Sequence, residues 1–157
     1  MLNEITALFG ETVAAAPPID RRATRRFVDL WTKAARGRFP SWRAVRDLDL
    51  GPDWDWAFCI DLEKSSGFPY FIYLGSSLAK LSDVYLSGDA DWTLSLLDKA
   101  TGEIGACVSL AGPHFREDEL RLCNGRRILF RCVTAPLADN GERITHVAGV
   151  ANGVFAD

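Results

Sequence analysis

Residues 124–154 read NGRRILFRCVTAPLADNGERITHVAGVANGV, and this stretch decides the fold. Asn124-Gly125 is a favoured two-residue hairpin turn, because both central positions of such a turn need positive φ. Residues 126–137 follow as a strand rich in β-branched and aromatic side chains. Ala138-Asp139-Asn140-Gly141 turns the chain again, and residues 143–154 read as a last strand. Upstream, residues 115–123 supply a strand before the first turn. Three consecutive strands joined by short turns predict an antiparallel meander.

Towards the N-terminus, residues 56–62 predict a strand, 63–67 a turn, and 68–74 a second, aromatic-rich strand. Residues 76–82 are short and helical. A stronger helix is expected from about residue 92, where Leu94, Leu97, Ala100, Ile104 and Val108 recur at helical steps. Gly102 and Gly105 weaken its second half and predict a break there. Residues 21–36 predict a helix with Ala23, Phe27, Leu30, Trp31 and Ala34 on one face and arginines opposite. Asp20 is its expected N-cap, and Gly37 stops it. Residues 1–15 read as a short amphipathic helix ended by Pro17-Pro18, and 38–55 as irregular chain. Two strands, then helices, then three strands, is an α+β plan with one sheet.

The chain has 157 residues, 48% hydrophobic and 25% charged, which suits one soluble domain with a real core. No apolar run reaches the ~20 residues of a membrane span, and residues 1–4 lack the basic start of a secretory signal. Cys59, Cys107, Cys123 and Cys132 show no CxxC pair and no zinc spacing, so they read as buried thiols of a reducing cytoplasm. The net charge of −3 hides an asymmetry. Residues 21–46 carry nine Lys/Arg against Asp29 alone, while 47–157 carry nine bases against seventeen acids. The basic segment suits an acidic partner or a solvated helix face complementing the acidic body. No aromatic-interleaved stripe accompanies it, which argues against nucleic acid. Asp47, Asp49, Asp53 and Asp55 read as a solvated acidic loop, since the order of ligands in a calcium loop is absent.

The C-terminal stretch resembles the closing hairpin of PAS domains. The features that carry this are Asn124-Gly125, the strand around Ile128 to Val133, Ala135-Pro136-Leu137, the Asp139 to Gly141 turn, and the Val/Gly-rich run from Ile144 to Val150. Residues 58–67 resemble that family's opening strand and acidic turn, and 68–81 its second strand and first short helix. The basic region 21–46 resembles the helix preceding the core in small stand-alone PAS proteins of alphaproteobacteria. One departure is Leu74-Gly75, where many relatives place Asn. The resemblance implies a five-stranded antiparallel sheet cupping a pocket, with helices on one face and an extra N-terminal helical segment. It also implies a division into a tail (1–19) and a sensor domain (20–157).

Such domains hold haem, flavin, small acids or nothing. Haem would need His114 or His146, neither on a helix; both read as hydrogen-bonded sheet or surface histidines. The Asn-Cys-Arg-Phe-Leu-Gln block of light-sensing flavin relatives is absent, which excludes that photochemistry. No GxSxG, HExxH or phosphate loop is present either. What remains is an apolar cluster, either a ligand cavity or simply a closed core, with Phe58, Ile60, Tyr73, Leu78, Leu81, Leu97, Phe130, Cys132 and Val147 as candidate lining. Tyr73 is the expected reader of a polar ligand group. Trp31, Trp42, Trp54, Trp56 and Trp92 suit either a partner-binding patch or the ground beneath a docked N-terminal helix.

The function these residues imply is a cytoplasmic, non-enzymatic sensory module that binds a small molecule and signals through a homodimer or a protein partner. The alternatives are a ligand-free adaptor of the same fold and a small α+β enzyme of the NTF2-like kind. Element order disfavours the enzyme, since that fold places its long helices before most strands.

Overall fold

The C-terminal stretch folds as a meander in the computed structural model, which describes residues 22–82, 95–121 and 125–156. Strands β3 (His114–Arg121), β4 (Arg127–Leu137) and β5 (His146–Phe155) pair antiparallel in sequence. Gly125 occupies the first turn at φ 86°. The last strand starts later than its sequence suggests. The Asn140 side-chain oxygen accepts from the backbone N–H groups of Glu142 and Arg143, holding both in the turn and out of the ladder. The early hairpin is β1 (Ala57–Asp61) and β2 (Tyr70–Leu74). The five strands form one sheet in the order β2-β1-β5-β4-β3.

Helices cover both faces. On one lie α3 (Ser76–Leu81), α4 (Leu96–Thr101) and α5 (Ile104–Leu110). The long helix expected from residue 92 is two short ones, separated at Gly102-Glu103, and Ser95 with Asp98 forms a capping box on the first. On the opposite face α1 (Ala23–Ala35) packs through Phe27 and Leu30 onto Ala57, Cys59, Val133, Ala135, Ala148 and Val150. The alanines on this face let the helix axis come close, and burying Phe27 alone contributes about 1.5–3 kcal/mol. The Trp31 indole N–H donates to the Pro136 carbonyl at 2.9 Å.

Three local expectations are corrected. Arg22, not Asp20, is the N-cap of α1, and the Arg22 side chain makes no capping hydrogen bond. Asp20 and the 1–15 segment lie outside the described residues, as do Trp92, Cys123 and Asn124. Residues 38–55 are not irregular throughout: Ser41 caps a short helix α2 (Trp42–Arg46), and a 3₁₀ turn spans Gly51–Trp56. Asp53 is not a solvated loop acid but is buried, and takes the Arg26 guanidinium through two contacts at 2.5 and 3.0 Å. Asp47, Asp49 and Asp55 are exposed. The basic segment thus docks onto the body. Arg38 donates to the Asn140 carbonyl and Arg46 stacks on Trp54 and Tyr73.

The Leu74-Gly75 departure has a steric cause. Gly75 N–H donates to the Ala57 carbonyl, and a Cβ at Gly75 would lie 2.3 Å from the Asp55 carbonyl oxygen. Only glycine lets the end of β2 lie against the 3₁₀ turn. Among the described residues no helix is long and apolar enough to cross a membrane. Gly75→Ala is expected to destabilise by about 1–3 kcal/mol in urea denaturation. Gly105→Ala, where a Cβ meets open space inside α5, should be neutral or stabilising.

Candidate functional site

Strand alternation puts Phe58 and Ile60 of β1, and Ile128, Phe130 and Cys132 of β4, on the face beneath α3–α5. Leu78, Leu96 and Ala100 close over them from the helices, with Leu81, Leu97 and Ile104 half-buried at the edge. This closely packed apolar cluster, the chamber, is the candidate site. Gly149 makes room in it: a Cβ there would stand 2.8 Å from the end of the Phe58 ring, so the glycine lets Phe58 lie across β5.

Of the nine residues the sequence suggested, seven meet here: Phe58, Ile60, Leu78, Leu81, Leu97, Phe130 and Cys132. Val147 is fully buried and pairs with Ile60 across the β1–β5 ladder, which puts it on the same face. Tyr73 does not belong to the site. It pairs with Cys59 and packs on the opposite face, in a cluster with Trp42 and Trp54 whose ring centroids lie 5.7–5.9 Å apart. Its hydroxyl donates to the Trp54 carbonyl at 2.8 Å, so its polar atom is already engaged. A register shift between Cys59 and Ile60 leaves Ile72 as an extra residue, and so Phe71 and not Tyr73 joins the chamber. The alternating pattern alone does not reveal a bulge, and so does not show Phe71, while Trp56 reaches the cluster from the 3₁₀ turn, most of which the sequence reads as irregular chain. Ala100 and Ile104 were legible as a helical stripe. Leu120, Ile128 and Ala151 become chamber residues only through register.

Polar groups gather at one end of this face. The Arg116 guanidinium lies over the Phe130 ring, donates to the Lys99 carbonyl at 2.6 Å and contacts Glu103 at 3.3 Å. His114 shares a 2.8 Å hydrogen bond with Glu103, which, with the nearby cations, holds that carboxyl below its usual range. The Thr134 hydroxyl is buried on this face, with the Cys107 thiol as its polar neighbour. The nearby Cys107 thiol is pushed up by burial, opposed by its contact with that hydroxyl.

The chamber does not suit haem or thiol chemistry. His146 pairs with Asp61 and Leu137 on the α1 side, its Nδ1 2.8 Å from the Thr145 hydroxyl and its Nε2 3.6 Å from Asp61. His114 is held by Glu103. Neither presents a ring nitrogen to the chamber centre. Burial pushes the Cys132 thiol up to about 11, and burial with Asp61 nearby raises Cys59 further, the opposite of an activated nucleophile. Among the described residues no group of three metal-ligating side chains converges.

No family model matches the chain, and no curated protein matches it. Solved structures do. The dark structure of the blue-light photoreceptor Aureochrome1 LOV is similar at 15% identity and TM-score 0.47, covering 73% of this chain and 85% of that one. The PAS domain from Bordetella pertussis BvgS is similar at 17% identity and TM-score 0.38, covering 62% and 72%. The LOV domain from the Erythrobacter litoralis EL346 blue-light activated histidine kinase is similar at 11% identity and TM-score 0.42, covering 64% and 95%.

Cys132 carries a pH signature. Its thiol ionises at about 11 when folded and near 9 when unfolded. The unfolded chain therefore loses its proton first, and the contribution to stability is full below pH 9 and lost as pH rises towards 11. Urea denaturation is expected to show stability falling across that window, with Cys132→Val removing about 2–3 kcal/mol of the fall and the still more raised Cys59 leaving a comparable part.

Proposed function

We propose that this chain is a PAS-type sensory module that binds a small molecule in the chamber between the sheet and α3–α5, and passes the signal through a dimer or a partner protein. The observation that carries the reading is the buried Thr134 hydroxyl on the chamber face, whose polar neighbour is the Cys107 thiol, a weak hydrogen-bond partner. Such a group costs about 1–3 kcal/mol if nothing satisfies it, and a ligand donor or acceptor would recover that. The residue-level resemblance of 124–154 to a PAS hairpin and the five-stranded sheet support the same reading. The ligand it implies is mostly apolar with one polar group near Thr134. Among the described residues, the thiols of Cys59, Cys107 and Cys132 are buried and outside any disulfide, which suits the reducing cytoplasm. The raised thiols and engaged histidines support a binding role over catalysis.

A second reading, a ligand-free adaptor, is favoured by the edge strand β2. Tyr70, Ile72 and Leu74 are exposed on it, and Phe68 beside it is 84% exposed. An exposed apolar edge offers both backbone hydrogen bonds and apolar area to another chain.

Native mass spectrometry of freshly purified protein, beside the denatured mass, separates the two. The sensor reading expects excess mass per subunit, lost in Ala151→Leu, which fills the chamber, and kept in Tyr73→Phe, which lies on the other face. Bare subunits whose assembly is broken by Ile72→Lys would replace the sensor with the adaptor.

A further inference from the structure

The two edges of the sheet are built in opposite ways. β3, at one edge, reads HFREDELR and carries Arg116, Glu117, Asp118, Glu119 and Arg121. Charge of that density blunts an edge against strand addition. β2, at the other edge, reads YFIYL and carries no charge at all. Tyr70, Ile72 and Leu74 are exposed along it, and Phe68 stands almost wholly in solvent just before it. Such a strand is a template for another chain.

The edge is complementary to itself. The Gly75 N–H donates to the Ala57 carbonyl, and the ladder alternates from there along β1. Leu74 opposite Phe58, and Phe71 opposite Ile60, therefore hold positions whose own N–H and C=O groups turn away from β1. A two-fold axis between Ile72 and Tyr73 sets Leu74 of one copy opposite Phe71 of the other, so that these outward groups meet. Leu74 and Phe71 also share one face of the sheet, as an antiparallel pair must.

The same axis brings the Tyr70 end of one β2 to the Gly75 end of the other. At the first end Lys64 lies over the Tyr70 ring, 5.3 Å from its centroid. At the second end the Asp55 backbone lies against Gly75. Lys64 and Asp55 are both exposed, and neither joins an ion pair among the described residues. The neighbouring acid, Glu63, is already taken by Arg143 at 2.8 Å. A two-fold pair thus gains a Lys64–Asp55 contact at each end.

We propose that β2 is a self-association edge, through which two copies of this chain join their sheets antiparallel into one continuous sheet. The Leu74–Phe71 ladder supplies the hydrogen bonds, Phe68, Ile72 and Leu74 the apolar area, and Lys64 with Asp55 the register. This deepens the dimer reading given above and holds whether or not a ligand fills the chamber.

The test is sedimentation velocity of the full chain across a micromolar concentration series, where a dimer is expected. Ile72→Lys places two cations beside the axis and should give monomers. Phe115→Lys, at an exposed apolar position on the opposite edge, should leave the dimer intact. Lys64→Glu and Asp55→Lys each turn both end contacts repulsive, and each should weaken the dimer about tenfold. An equimolar mixture of those two variants should recover the wild-type affinity, because both contacts of the mixed dimer are then opposite in charge. Monomers at every concentration leave β2 to a different chain and overturn the proposal. So does a dimer that survives Ile72→Lys, or a mixture no tighter than its components. The chamber reading fails separately: a dimer of bare subunits removes the ligand and keeps the edge, while ligand-bearing monomers do the reverse.

Discussion

Everything in this fold depends on β4 being buried on both faces at once. From Phe130 to Leu137 every residue of the strand is buried. Phe130 and Cys132 point to the chamber, while Val133, Ala135 and Leu137 point to α1. An antiparallel sheet ordinarily leaves one face to water. Here α1 takes that face, and the price in sequence is a strand with almost no polar alternation. A slip of one residue in its pairing would exchange the two cores, so the register is held strongly.

That double burial explains the basic segment. A helix laid on a sheet that already carries an acidic body must bring its own charges into partnership. Arg26 reaches Asp53, Arg38 reaches the β4–β5 turn, and Arg46 lies on the Trp54 and Tyr73 rings. The aromatic residues on this side are the ground on which the segment sits. Trp31, Trp42 and Trp54 all pack against the α1 core, and Tyr73 is drawn into that layer by its pairing with Cys59. The chamber on the other face is lined mainly by aliphatic and phenylalanine side chains, with Thr134 and the Arg116–Glu103–His114 group at one end among the described residues.

Two regions of unlike chemistry therefore lie back to back across one sheet. The chamber is apolar, with thiols raised by burial. The α1 side is charged, with Arg22, Glu117 and Arg131 around one cavity. β3 and β4 serve both, because alternate residues of the same strands face opposite ways: Phe115 and Glu117 one way, Arg116 the other.

The sequence by itself determined the element types, their order and the single-sheet α+β plan, because these follow from local periodicity and turn chemistry at Gly125 and at Asp139 to Gly141. It also determined most of the chamber, since Phe58, Ile60, Phe130 and Cys132 alternate in plain view. The tertiary structure decided what local pattern cannot encode. The bulge that sends Phe71 inward, the pairing that sends Tyr73 outward, and the burial of Asp53 beneath Arg26 each join residues distant in the chain. Side-chain facing is a property of register between strands, and ion pairing a property of helix placement. Neither is written in the spacing of one segment.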